Sequence, residues 1–272
     1  MYIISGNTFS ISEIANEYDE NSVEKQLLEK MSASSEKYSY DSLEQLKFEL
    51  NLRRNIVNAA VSLNSSDLSF AVFKKARCNP AYWNRTPNGG FLLKEGINSG
   101  EAINDIFING DNYATECATA LMIVYYKALL DTYGDELFGK QFARIYLMGW
   151  YVTEPLLEAV AFIHPAADML LGDRGYFNNP EYDTSAPEWE GENIIVLPDS
   201  LYYGHGIGIT TADEIIRDLN SRRRNYASRS AYLLDSVGRP DFNKLSDVYY
   251  NMSREAAPLV WKPFPSPLIK NI

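Results

Sequence analysis

The sequence predicts an α+β protein, with helices gathered in its first half and strands in succession after them. Three observations carry this. A helical stripe runs from Asp41 to about Leu63, and a second, largely apolar helix that must be buried opens at Cys117. Strand-like stretches at 192–197 and 202–209 then follow one another with no helix between them. A βαβ chain would interleave the two patterns, and this one does not.

In chain order, residues 9–35 are polar and acidic, with Ile11, Ile14, Val23, Leu27, Leu28 and Met31 at helical spacing. They predict one or two short helices packed on the main body. Asp41-Ser-Leu-Glu44 reads as a capping box that opens a long helix. Its stripe of Leu43, Leu46, Leu50, Val57 and Ala60 faces the core, with Arg53 as the one polar interruption. Leu68–Phe73 reads as extended, and 79–90 as a loop rich in Asn, Pro and Gly. Ser99–Ile108 predicts a short helix, and Asn109-Gly-Asp-Asn a turn before the cysteine helix. Ala143–Trp150 reads as a strand, and Glu192–Leu197 as a clearer one that stops at Pro198. Tyr202–Ile209 predicts a third strand with three glycines, which let another backbone or a substrate approach closely. Thr211–Leu234 predicts a helix capped by Thr210 or Thr211. Further on, Pro258, Pro263, Pro265 and Pro267 surround Trp261 and Phe264, as in an extended tail docked on the body or on a neighbour.

With 272 residues, 46% hydrophobic and 22% charged, the chain suits one large domain with a sizeable core. The net charge of -11 argues against a nucleic-acid partner and mildly favours cationic ones such as lysine-bearing proteins; otherwise it is a solvated surface. Cys78 and Cys117 are the only cysteines and form no Cys-x-x-Cys, which excludes a disulfide framework or zinc cage and fits a free thiol in a reducing compartment. The N-terminal residues lack a basic segment followed by a long apolar one, so no signal peptide is expected. No run of 18 apolar residues occurs, so no membrane span is expected and synthesis is assigned to the cytoplasm.

Cys117 is the candidate nucleophile. A helix start offers unpaired N–H groups and the positive end of the macrodipole, which favour a thiolate and predict a lowered thiol pKa. Glu116 beside it works the other way by like-charge repulsion. A thiol nucleophile needs a base, and only His164 and His205 are histidines. His164, in Phe162-Ile-His-Pro, suits a surface or capping place, whereas His205 lies on the glycine-flanked strand and is the preferred base on the residues alone. Glu192 reads first as a solvated strand start, although an antiparallel turn at 198–200 brings it toward His205. Cys78 precedes a loop and is incidental. Asp105, Asn109 and Asp111 lack the spacing of a calcium loop, Gly204-His-Gly-Ile-Gly lacks the helix of a dinucleotide site, and Arg222–Arg224 reads as a solvated helix face.

Several blocks together resemble a known family. Phe48-Glu-Leu-x-Leu-Arg-x-Asn-Ile-Val-x-Ala-Ala, Tyr113-Ala-x-Glu-Cys-Ala-Thr-Ala, Tyr176-Phe-x-Asn-Pro-Glu-Tyr-Asp183, Trp189-x-Gly-Glu-Asn-x-Ile-x-Leu197 and His205-Gly-Ile-Gly-Ile are similar to the spore-coat protein-glutamine γ-glutamyltransferases (transglutaminases) of spore-forming bacilli. The resemblance covers residues 1–236 and implies a single catalytic domain there, with 237–272 as a proline-rich extension. It implies a papain-like core of the cell-wall cysteine-peptidase type, with additional helices around a small antiparallel sheet. It further implies cofactor-free, calcium-independent cross-linking of glutamine to lysine side chains of coat proteins, in the spore coat. Cys117 then corresponds to the nucleophile, Glu192 to its main partner, His205 to a third polar residue and Glu116 to a partly redundant carboxylate. This reverses the ranking of His205 over Glu192. Phe70, Trp150, Tyr176 and Trp189 match aromatic positions expected to wall a substrate channel against water. A cysteine peptidase or amidase on the same scaffold, and an inactive structural coat protein, are the competing readings.

Overall fold

In the computed structural model, which describes residues 2–4, 7–8, 14–151 and 154–256, two long helices lie together against an antiparallel sheet. Helix α1 is Val23–Ala33, started by Ser22, whose hydroxyl accepts from Lys25 N at 3.2 Å. Helix α2 is Leu43–Asn64. Its cap is Ser42, whose Oγ accepts from Gln45 N at 3.3 Å, while Gln45 Oε1 accepts from Asp41 N at 2.7 Å. The capping pair is therefore one residue later than the expected Asp41 and Glu44, because the serine hydroxyl reaches the third helical amide. Helix α3 is Ser99–Ile108 and helix α4 is Cys117–Gln141, interrupted at Gly134. Residues Ala120–Tyr126 of α4 are all buried, as an apolar surface on every side of a helix requires.

The central sheet has five strands: β1 Arg174–Asn178, β2 Gly191–Val196, β3 Leu201–Gly204, β4 Gly208–Thr211 and β5 Tyr232–Leu233. Their order is β4-β3-β2-β1-β5, and every pairing is antiparallel. The register sets Tyr176 opposite Asn193, Phe177 opposite Glu192 and Ile194 opposite Gly204. All six residues of β2 are buried, so the sheet's middle is closed on both faces. Mixed helix and sheet content, helices before the main sheet, matches the expected class.

Several elements differ from the sequence reading. The 79–90 loop contains the strand Trp83–Arg85, which pairs with Phe91–Leu93, and the expected strand 143–150 narrows to Tyr146–Leu147 at that hairpin's edge. Buried Trp83 and Phe91 drive this pairing. The stretch 202–209 is the hairpin β3–β4, turning at His205–Ile207 with Gly206 at φ +102°. A left-handed turn residue there explains the glycine. Helix α5, Ala212–Ser221, has the capping box Thr211/Glu214 but ends thirteen residues before Leu234. Past it, Arg224 pairs with Glu181 at 2.7 Å and Arg223 Nε donates to Asn220 O, so the arginines tie down a loop rather than ride a solvated helix.

Residues 236–256 are bound to the body. Ser236–Val237 pairs with His164–Pro165. Arg239 donates to both oxygens of Asp173 at 2.8–3.0 Å. Helix α6, Phe242–Ala256, packs on α2, with Tyr249 stacked on Tyr133 of α4 at 5.3 Å. The four prolines, Trp261 and Phe264 lie outside the described residues. Among those described, no helix is long and apolar enough to cross a membrane.

Candidate active site

Cys117 is the first residue of α4, and Glu116 caps that helix. The Glu116 carboxylate accepts from Ala118 N and Thr119 N, each at 2.7 Å. Thr119 Oγ1 donates to it as well, while accepting from Gly149 N at 2.7 Å. Both Glu116 oxygens are thus engaged in holding the helix start, which also fixes the cysteine.

Glu192 is buried in β2, and its Oε1 has no hydrogen-bond partner. Gly204 on the neighbouring strand makes room for it: a Cβ there would sit 2.9 Å from Glu192 Cγ and Oε1. Burial holds the Glu192 carboxyl well above the usual carboxylate range, with Glu116 and then Asp218 adding to the effect. Burial likewise pushes the Cys117 thiol up to about 12, the charge of Glu192 and then Glu116 adds, and the Asn193 amide opposes. The expected lowering of the thiol pKa is therefore reversed. The helix terminus favours an anion, but loss of solvent and two nearby carboxylates outweigh it. Cys78 is also raised by burial, to about 11, so it stays a protonated thiol.

His205 is buried, and both of its ring nitrogens have polar neighbours. Nε2 lies 3.2 Å from Thr115 O and 3.3 Å from Ser69 O, and Nδ1 lies 3.3 Å from Tyr203 Oη. Those carbonyls belong to the short parallel strands Ser69–Phe70 and Ala114–Thr115, which lead to Phe70 and to Cys117. Burial lowers the imidazole to about 4, which keeps it neutral. His164, by contrast, is exposed on its short strand.

A cleft of about 380 Å³ opens over the thiol, lined by Phe70, Phe73, Glu116, Cys117, Tyr176 and Asn193 among others. Of the four expected aromatic walls, Phe70 and Tyr176 are in it. Trp150 instead covers the Arg174 guanidinium at 3.7 Å, and Trp189 stacks on Arg222 at 4.3 Å, beside the lining residues Glu188 and Glu190. A larger cleft of about 870 Å³, between Leu92, Arg144 and Glu154, has no cysteine or histidine in its lining, so chemistry and not size selects the site. Among the described residues, no group of three His, Cys, Asp or Glu side chains is arranged to hold a metal ion.

Two residues escaped the sequence reading. Asn193 Nδ2 donates to Cys117 Sγ at 3.4 Å, and its Oδ1 accepts from Arg174 Nε at 3.1 Å and Nη2 at 2.9 Å. An asparagine after a glutamate in a strand carries no pattern, and nothing along the chain links Arg174 to either; only the β1–β2 register joins them.

This arrangement of thiol and buried carboxylate accompanies a clear kinship. The family model described as protein-glutamine gamma-glutamyltransferase matches residues 1–249. A protein of that name from Bacillus cereus (strain G9842) is 42% identical over 245 residues, 90% of this chain and 88% of the relative. Another from Halalkalibacterium halodurans is 41% identical over 239 residues, 88% of this chain and 82% of its own. The solved transglutaminase from Geobacillus stearothermophilus, without its C-terminal extension, is 44% identical and superposes with a TM-score of 0.70, covering 76% of this chain and 98% of that one. The chain belongs to the protein-glutamine gamma-glutamyltransferase family, a family of acyltransferases.

Proposed function

We propose that this enzyme cross-links proteins through a Cys117 thioester on a papain-like core, with Glu192 as the base that serves it. The observation that carries this reading is the Glu192 carboxyl: buried, with Oε1 unpartnered, and tied electrostatically to a thiol that lines the cleft. Burial raises the Glu192 carboxyl, which makes it a stronger base than an exposed carboxylate and suits it to take the thiol's proton and return it.

The Sγ–H proton passes to Glu192, and the thiolate attacks the glutamine side-chain carbonyl carbon. As the tetrahedral intermediate collapses, the C–N bond breaks, Glu192 returns the proton to the leaving nitrogen, and ammonia departs. A lysine amine then attacks the thioester carbonyl and gives a proton to Glu192. The C–S bond breaks, the isopeptide bond is complete, and Sγ regains its proton. Phe70 and Tyr176 are the apolar walls that keep water from the thioester, and Trp150 and Trp189 support them from behind Arg174 and at the rim. Glu116 serves by capping α4, and His205 by bracing the strands beneath Phe70 and Cys117. The substrates are glutamine- and lysine-bearing spore-coat proteins, a reading supported by the Bacillus relatives and the acidic charge of the chain.

Incubation with a glutamine-bearing peptide and a primary amine tests this. Ammonia release is expected to equal amine incorporation, to be unchanged by a calcium chelator, and to vanish in Cys117→Ala. Ammonia without incorporation makes the protein an amidase; activity in Cys117→Ala overturns the whole assignment.

A further inference from the structure

Arg174 is a buried cation with no carboxylate partner among the described residues. Its Nη1 donates to Val160 O and Ala161 O at 2.9 and 3.0 Å, its Nε and Nη2 grip Asn193 Oδ1, and Trp150 covers its face. Buried charges ordinarily have counter-charges, and a guanidinium is costly to bury without one. The amide between Arg174 and Cys117 is also unambiguous in orientation: Oδ1 is taken by the guanidinium, so Nδ2 must face the sulfur at 3.4 Å. At the helix start, the Glu116 carboxylate takes the N–H groups of Ala118 and Thr119, and the N–H of Cys117 has no acceptor among the hydrogen bonds described.

We propose that Asn193 Nδ2 and the Cys117 N–H form the oxyanion site of this enzyme, and that Arg174, shielded by Trp150, is its positioning residue and the counter-charge to the negative sulfur and oxyanion. A guanidinium bound to the amide oxygen polarises the amide and strengthens its N–H as a donor. Negative charge that appears on sulfur, and then on the former carbonyl oxygen, meets preorganised donors that need no reorientation. This rests on the thioester mechanism above and adds the residues that stabilise its intermediates. Around the sulfur, the groups that set its charge are Glu192 from β2, Glu116 at the helix cap, Arg174 and Tyr176 from β1, and Tyr203 from β3.

The test compares Asn193→Ala, Asn193→Asp and Arg174→Lys in the full chain. Readouts are ammonia release at saturating amine, KM for the glutamine peptide, and the pH dependence of Cys117 alkylation by iodoacetamide. Asn193→Ala is expected to lower kcat about 10²-fold, the usual effect of one lost oxyanion donor, with KM changed less than about threefold. Asn193→Asp keeps the shape and the grip of Arg174 but removes the donor. It is expected to lose at least as much kcat as Asn193→Ala, and its carboxylate beside the thiol is expected to move alkylation to higher pH. Arg174→Lys is expected to fall between wild type and Asn193→Ala and to move alkylation the same way. If Asn193→Asp retains wild-type kcat and an unshifted alkylation profile, the proposal is overturned, even with Cys117→Ala inactive. If Cys117→Ala remains active, it is the thioester reading that fails. Should Asn193→Ala not fold, Asn193→Asp and Arg174→Lys decide alone.

Discussion

Glu192 and His205 show at the scale of single residues how environment assigns roles. Glu192 is expected to be protonated in the folded protein at pH values where it is ionised in the unfolded chain. The folded state then binds more protons, so stability falls by about 1.4 kcal/mol per pH unit across that window, from about 4.5 upward. Activity runs the other way under the proposed mechanism, in which only ionised Glu192 accepts the Cys117 proton, and the acid limb of kcat/KM is expected well above the usual carboxylate range. Glu192→Gln is therefore expected to lose 10²–10⁴-fold in activity while melting higher than wild type at pH 7, a pairing read by calorimetry and ammonia release. His205 has the opposite sign. Its folded value of about 4 lies below its unfolded value near 6.5, so it favours folding above 6.5 and loses that contribution, about 3 kcal/mol, as pH falls toward 4. His205→Ala is expected to cost stability first and less activity than Glu192→Ala; equal activity losses in folded variants would return the histidine to the role of base. The preference for His205 drawn from residue type alone takes no account of burial, which no residue type encodes and which decides whether an imidazole can hold a proton.

At the scale of the element, the start of α4 is the working unit. Its apolar run, the cysteine at its first position and the glutamate before it were legible, because helix periodicity and capping preference are local. The use of Glu116 was not: a carboxylate beside a thiol reads equally as a base or a cap until its oxygens are traced to Ala118 and Thr119. Glu116→Ala is expected to cost about 1 kcal/mol of stability through the lost cap. Glu116→Gln, which still offers one acceptor oxygen and removes a charge, is expected to keep activity within about tenfold. Thermal melts beside ammonia-release rates check both, and a loss in Glu116→Gln as deep as in Glu192→Gln would make Glu116 a base in its own right. The β3–β4 hairpin failed to be read for a related reason. Three glycines in a strand and three glycines around a turn are the same letters, and only the pairing of Tyr203 with Ile209 separates them.

The whole molecule is joined by a buried ionic cluster that crosses much of the sequence. Arg53 of α2 donates to Glu49 at 2.7 Å and to Asp173 at 2.8 Å, Arg239 donates to Asp173 and to Asp168 at 2.7 Å, and Phe242 lies 4.4 Å from the Arg53 guanidinium. The polar interruption noted in the α2 stripe is thus its centre. Asp173 is fully buried and immediately precedes β1, so its charge needs both arginines. Cutting the chain after 236 removes Arg239 and α6, and is expected to lower the melting temperature well below that of a chain ending at 256. Equal melting of the two, by circular dichroism, would show that 237–256 adds nothing to the folded body.

The sequence by itself determined the α+β class, the four main helix starts, the β2 strand, the placement of a thiol at a helix start and, through its resemblance to a family, the type of reaction. These follow from periodicity, caps and ordered blocks of residues, which are written in neighbours along the chain. Only the tertiary structure decided which carboxylate is a buried partner and which a cap, why His205 stays neutral, and that Arg174 and Asn193 stand behind the sulfur. Each of those depends on solvent exclusion and on a strand register joining β1, β2 and α4, and charge energetics in a protein are set by what surrounds a group in space.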